Sequence, residues 1–267
     1  MNNTLIIGQY VPGVSLIHRL DPRTKMTVIF VFILIVFLAN SLASYAIITV
    51  FALAATFATR IPLRFIFKGL MPVWFLIGFT FILHLLVTKE GPVLLEIFTF
   101  SIHLDGLIKG LAISLRFFLL ILVTSLLTLT TTPIEITDAI EDMLAPLQKI
   151  KFPVHELALM MSISLRFIPT LMQEAEKISK AQASRGVDFR TGPVKERLKA
   201  IVPLLVPLFV SSFKRAEELA MAMEARGYHG GEGRTKLRML KIQKCDWLAL
   251  GLFTLVVLGL LLTRHYA

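Results

Sequence analysis

The sequence predicts an all-α polytopic membrane protein: about five transmembrane helices plus a cytoplasmic region of one short and two long helices. Three observations carry that prediction. Hydrophobic residues fill 55% of the 267 positions and the mean hydropathy is +0.75, above the apolar share of ordinary water-soluble domains. Five apolar runs approach or exceed the length that crosses a bilayer. Between the fourth and fifth lies a stretch of 113 residues, 133 to 245, with 18 of the 28 basic and 13 of the 18 acidic residues.

The first 23 residues mix Asn2, Gln9, Pro12, His18, Arg19 and Asp21 with short apolar pieces, so no cleavable leader is expected. Met26 to Ala39 and Tyr45 to Ala58 flank the turn signal Asn40-Ser41, which predicts a tight transmembrane hairpin. A third span runs from about Phe65 to Val87 with Pro72 expected to kink it. Lys89-Glu90-Gly91-Pro92 then breaks the pattern. Leu104 to Thr130 is the fourth span and Trp247 to Leu262 the last, with Asp246 expected as its N-cap and Trp247 and Tyr266 near the two interfaces. The organisation that follows is a membrane bundle over 1–131, a cytoplasmic helical domain over 132–245 and a final transmembrane helix over 246–267.

Basic residues set the expected orientation. Arg19, Arg23 and Lys25 precede the first span, Arg60, Arg64 and Lys68 lie between the second and third, and the long stretch follows the fourth. Alternation puts all three on one side, and the positive-inside rule makes that side cytoplasmic. The other side has Lys89, Lys109 and Arg264. The N-terminus is therefore expected inside and the C-terminus outside.

Thr132-Pro133-Ile134-Glu135 reads as a capping box with Pro at the first helical position, starting a short helix toward Pro146. Pro153 starts a second helix that continues to Arg185, and Pro193, after Gly192, starts a third that continues to Arg226. Each long helix extends roughly 45 to 50 Å at 1.5 Å per residue. Leu157 to Met172 and Ile201 to Phe213 are almost uncharged, whereas the later halves are charged and amphipathic. The helices are expected to begin against the membrane bundle and finish in the cytosol, with bends permitted at Pro169, Pro203 and Pro207.

Catalytic chemistry is missing from the pattern. No G-x-x-x-x-G-K-[ST] occurs, so hydrolysis of ATP by this chain alone is not expected. His155-Glu156 lacks the second His of a zinc helix, and His18, His84, His103, His229 and His265 have no ligand spacing. No G-x-S-x-G elbow occurs. No catalytic, cofactor-binding or metal residue is expected. Cys245 is the lone cysteine, which excludes an intramolecular disulfide. Acidic residues such as Glu174, Glu176, Glu217 and Glu224 alternate with the basic ones, so nucleic acid is not an expected partner. Gly106 to Gly110 matches the G-x-x-x-G packing motif only weakly, since Lys109 interrupts it. Arg116 falls midway along the fourth span, where a charge costs at least ~2.5 kcal/mol. It is either a structural Arg bonding carbonyls or an interior acid, or part of a partner groove. Met160, Met161, Met172, Met221 and Met223 on the long helices fill a core or serve an adaptable partner surface.

The most specific signal is a repeat. Ala175-Glu176, Ala181 and Ser184-Arg185-Gly186 recur as Ala216-Glu217, Ala222 and Ala225-Arg226-Gly227, each pair 41 apart. A helix C-terminus explains either copy alone: Gly takes the left-handed position and Arg answers the negative end of the dipole. A cap needs Gly but not Arg before it, nor a small residue before that. Small neighbours leave a guanidinium free to enter a pocket and pair bidentately with a carboxylate.

With these motifs the chain resembles the transmembrane scaffold subunit family of energy-coupling factor transporters, which includes the cobalt-permease scaffold. That family's signature is a pair of small-Arg-small motifs at the tips of two cytoplasmic coupling helices, matched by Ser184-Arg185-Gly186 and Ala225-Arg226-Gly227. Leu20-Asp21-Pro22-Arg23-Thr24-Lys25 is similar to its N-terminal element, so Asp21, Pro22, Arg23 and Lys25 are carried over as a structural motif. Ser184 departs mildly from the Ala often found first.

The resemblance implies a non-catalytic subunit in a bacterial cell membrane. Two ABC ATPase subunits holding ATP and Mg dock at the tips, and a separate membrane subunit binds a vitamin or metal ion. The scaffold itself binds no cofactor. Two other classes compete. A membrane-anchored adaptor unrelated to transport would share the long helices, and an intramembrane enzyme would need a paired constellation where the spans offer Arg116 and an isolated His84.

Overall fold

The computed structural model describes residues 10–97, 100–187, 193–230 and 240–266. Asn2, Gln9, Gly192 and the side chain of Tyr266 lie outside the described parts. The elements are α1 (Leu16–Arg19), α2 (Pro22–Leu38), α3 (Leu42–Thr59), α4 (Leu63–Val87), β1 (Val93–Ile97), β2 (Phe100–His103), α5 (Leu104–Thr130), α6 (Pro133–Leu144), a 3-10 helix over Ala145–Ile150, α7 (Val154–Ser184), α8 (Val194–Ala225) and α9 (Lys244–Tyr266). They form two compact units, Met1–Ala139 with Leu240–Ala267, and Ile140–Met239. The class is the expected one, all-α and polytopic. Its β structure, among the described residues, is one antiparallel hairpin pairing Val93 with His103 and Ile97 with Phe100.

In the first unit α2 and α3 leave the short turn after Leu38 and pack against α5 and α9. Ser41 caps α3, its hydroxyl accepting the Ser44 N–H at 3.2 Å. The two halves of α4, Arg64–Met71 and Val73–Val87, are bent by 60° at the expected proline. Phe32, Val36, Ile48, Ala52, Leu119 and Leu260 form the fully buried centre. Lipid tails are as apolar as these side chains, so close packing rather than water exclusion holds the bundle together.

Gly106 and Gly110 supply that close approach. A Cβ at Gly106 would lie 3.0 Å from the Thr88 carbonyl oxygen, and one at Gly110 would lie 3.4 Å from His84 Cβ. The G-x-x-x-G motif, weak in the sequence, is the seat of α4 on α5. Lys109 does not disturb it because its ammonium pairs with Glu90 instead.

The helix directions are mutually fixed. The Lys25 ammonium donates to the Thr130 carbonyl at 3.1 Å, so α2 begins where α5 ends. Ser44 and Thr263 share a hydrogen bond of 2.9 Å, so α3 begins where α9 ends. Gly106 faces Thr88 and Trp74 meets Phe118 with ring centroids 6.3 Å apart, so α4 ends where α5 begins and runs antiparallel to it. The five helices therefore alternate in direction as a chain threading a membrane must.

Arg116, expected either as a structural Arg or as part of a partner groove, makes its hydrogen bonds inside the first unit. It donates to the Ala39 carbonyl at 2.9 Å and to the Tyr45 hydroxyl at 2.8 Å, and its guanidinium carbon stands 5.6 Å from the Phe37 ring centroid. The residue is midway along α5 by count but level with the α2–α3 turn. The reason is length: α2 has 17 residues and α5 has 27. The guanidinium satisfies the Ala39 carbonyl and the Tyr45 hydroxyl there, which is the bonding a structural Arg makes.

Among the described residues four helices are long and apolar enough to cross a membrane: Leu42–Thr59, Leu104–Thr130, Val154–Ser184 and Lys244–Arg264. The bent α4 makes five. α2, with 17 residues, is one residue shorter than α3, and α7 enters through its apolar first half. One expectation is corrected at α9. It begins at Lys244, so Asp246 is its third residue rather than its N-cap, and its carboxylate reaches back to the Gln243 N–H at 2.7 Å. This is the returning half of a capping box, which the sequence concealed because Gln243 has no capping side chain.

Candidate functional site

In the second unit α7 and α8 run antiparallel across each other. Arg215 donates to Glu174 at 2.6 Å, Ser211 donates to the same carboxylate, and the Gln182 amide reaches the Pro203 carbonyl at 3.4 Å. Glu174 and Arg215 are themselves 41 apart. Where two copies of one helix cross antiparallel, equivalent positions meet only near the crossing, and a charge repeated in both copies there would repel itself. Glu174 and Arg215, opposite in charge at equivalent positions, attract instead. The spacing that exposed the repeat also pointed to this contact, but only the crossing shows that the two side chains meet.

Both helices end in the same geometry. Arg185 and Arg226 close α7 and α8 with φ −90° and ψ 8° in each case. The Val187 N–H returns to the Gln182 carbonyl and the Gly186 N–H to Ala183; the Tyr228 N–H returns to Met223 and the Gly227 N–H to Glu224. Each is a Schellman motif, in which the last carbonyls are satisfied by two backbone donors beyond the helix. Gly186 at φ +87° and Gly227 at φ +74° occupy the left-handed position, which costs other residues about 1–2 kcal/mol.

The repeated capping is thus real, and it leaves the arginines unused. The Schellman bonds are all backbone, so neither guanidinium is needed to close its helix. Ser184, Arg185, Gly186, Ala225, Arg226 and Gly227 are all exposed, and no ion pair or hydrogen bond engages either Arg side chain among the described residues. A Cβ at either glycine would meet nothing within 4 Å. The Ser184 hydroxyl is turned inward to the Lys180 carbonyl at 3.1 Å, so its tip presents little more than the Ala225 tip does.

The two tips are not brought together. With Gln182 level with Pro203, they lie at opposite ends of the helix pair, on the order of 40 Å apart at most at 1.5 Å per residue. The arrangement is two separate, similar, exposed cationic tips on one helix pair.

The N-terminal motif is elsewhere, in the first unit, and is structural. Asp21 caps α2 by accepting the Arg23 N–H at 2.9 Å, and the Arg23 guanidinium grips the same carboxylate at 3.1 and 3.0 Å. Burial raises the Asp21 pKa, but the bonds from Arg23 outweigh it and hold the carboxyl below its ordinary value. Pro22 takes the first helical position. Lys25 donates to the Thr130 carbonyl at 3.1 Å and the Thr131 hydroxyl at 3.2 Å. The Asp21 N–H donates at 2.7 Å to Asp246, which is completely buried. Sequence reading missed Asp246, Thr130 and Thr131 as members of this cluster, since they lie more than a hundred residues from the motif.

No group of His, Cys, Asp and Glu with metal-holding geometry is present among the described residues. Residues 13–237 match the family model CbiQ, described as a cobalt transport protein. A protein of Bacillus subtilis (strain 168), named energy-coupling factor transporter transmembrane protein EcfT, is 65% identical over 240 residues, 90% of this chain and 91% of its own. Proteins of the same name from Exiguobacterium sibiricum and Macrococcus caseolyticus are 54% identical over 259 residues (97% of both chains) and 51% identical over 262 residues (98% of both).

Proposed function

The chain belongs to the CbiQ family, and on that footing we propose that it is the transmembrane component of an energy-coupling factor transporter. It is the scaffold on which two ATPase subunits and a separate substrate-binding membrane subunit assemble. The ATPases dock at Ser184-Arg185-Gly186 and Ala225-Arg226-Gly227, each arginine entering an acidic pocket. ATP and Mg belong to those partners, and the scaffold is non-catalytic. The substrate-binding subunit selects the vitamin or metal ion. Residues 132–245 form the cytoplasmic coupling domain, and the chain sits in a bacterial cell membrane with its N-terminus inside and C-terminus outside.

The observation that carries this reading is the pair of identical caps with free arginines at opposite ends of one crossed pair. Closure of the ATPase pair on ATP draws its two pockets together and the tips follow. With α7 and α8 tied at Glu174 and Arg215, such a displacement becomes rotation about the crossing. The apolar first half of α7, beyond the crossing from its tip, then swings the other way. That swing acts on the substrate-binding subunit.

The test is co-purification of the ATPases with Arg185→Ala, Arg226→Ala and the double variant. Each single change leaves a desolvated carboxylate unpaired, at about 2–5 kcal/mol, so recovery falls with each. The double variant inserts normally but recovers no ATPase. Lysine rescues poorly, lacking the planar fork. Full recovery by the double variant would overturn the docking assignment.

A further inference from the structure

The chain crosses between the two compact units twice, after Ala139 and before Leu240. Both crossings arise a few residues from one buried polar cluster that lies wholly within the first unit. Thr130 and Thr131 end α5 and lead into α6, whose start is closed by a capping box: the Thr132 N–H donates to Glu135 at 3.0 Å and the Glu135 N–H to the Thr132 hydroxyl at 3.3 Å. Gln243 leads into α9, and its N–H is held by Asp246. Lys25 binds the first connection, and the backbone N–H of Asp21, the N-cap of the same α2 about one turn earlier, binds the second through Asp246.

We propose that this cluster is the transmission point of the transporter, with Lys25 and Asp246 as positioning residues that make α2, α5 and α9 respond together to displacement of the second unit. This rests on the function proposed above.

The argument is mechanical and energetic. The two connections are held one turn apart along α2, about 5.4 Å of rise. Left untied, each would pull on its own helix alone. Tied through Lys25 and Asp246, both act on the first turn of α2, and the three helices turn as a body. The cluster is also poorly suited to mere packing. Asp246 is 0% exposed and Lys25 is 6% exposed, and burying an ammonium and a carboxylate there stabilises less than apolar residues of equal volume often do. Such groups are selective ties. The ammonium donates to the end of α5 at Thr130 and Thr131 and to the His18 carbonyl, while the Asp246 carboxylate accepts from Asp21 with one oxygen and from Gln243, just before its own helix, with the other, so the geometry is specified rather than merely filled.

The experiment uses the whole complex in a Cys245→Ala background, with spin labels at Lys177 on α7 and Val50 on α3, both exposed. Their separation is measured by pulsed electron resonance without nucleotide and with MgATP plus vanadate. The wild-type separation shifts. With Asp246→Asn, which keeps size but replaces one acceptor by a donor, and with Thr131→Val, which removes one bond to Lys25, co-purified ATPase and its hydrolysis rate stay within twofold while the shift falls by at least half. A wild-type shift retained in Asp246→Asn overturns the proposal. So does failure of both variants to insert, since the cluster would then be packing alone. A wild-type chain that recruits no ATPase overturns instead the function on which the proposal rests, and the two failures are told apart by that control.

Discussion

Gly186 and Gly227 lie in the left-handed region with open space around them, so strain alone decides what replaces them. Ala at both should recover more ATPase than Val at both, since β-branched residues fit that region worst. The measurement is co-purified ATPase per scaffold for the two variants side by side, and wild-type recovery with Val would mean that the caps do not aim the arginines. Arg116 makes a different kind of prediction. Arg116→Met strands the Ala39 carbonyl and the Tyr45 hydroxyl that it now satisfies, which costs about 1–3 kcal/mol. The unfolding temperature in detergent should fall while ATPase recovery is unchanged. Loss of assembly at unchanged stability would return Arg116 to a partner groove.

At the scale of elements the α4–α5 pair offers the sharpest contrast. Gly106→Ala places a methyl group 3.0 Å from a backbone oxygen that has little freedom to retreat, and overpacking of this kind costs about 1–3 kcal/mol. Gly78→Ala, on α4 with nothing within 4 Å, removes only the entropy penalty of glycine in a helix and should be neutral or stabilise by up to about 1 kcal/mol. Thermal unfolding of the two variants in one detergent checks it, and equal stability would mean that α4 does not seat on Gly106. The legibility of elements followed their local character. The Pro72 bend, the Asn40-Ser41 turn and the capping box at Thr132 depend on a few neighbouring residues and were readable in advance. The start of α9 was not, because Asp246 caps from inside the helix and is fixed by Asp21 from the other end of the chain.

For the whole molecule the alternating helix directions leave one free choice, which face is cytoplasmic. The orientation proposed above, from basic-residue asymmetry, takes the face where α2 begins as the cytoplasmic one. A cysteine at Lys180 in a Cys245→Ala background should be shielded from an impermeant reagent in sealed cells, and one at Lys89 should react. Reaction at Lys180 without permeabilisation would reverse the orientation.

Composition and periodicity by themselves determined that the chain is helical and membrane-bound, and the 41-residue repeat determined that it ends two helices alike. Those properties are set by local propensity and by the length of apolar runs, which neighbouring residues suffice to encode. Only the tertiary structure decided that Arg116 is level with a turn rather than mid-membrane, that Glu174 and Arg215 pair at the crossing, that the arginine tips stand at opposite ends, and that Lys25, Asp21 and Asp246 join three helices. Each of these depends on the relative register of helices distant in sequence, and register is fixed by packing between elements that no single segment contains.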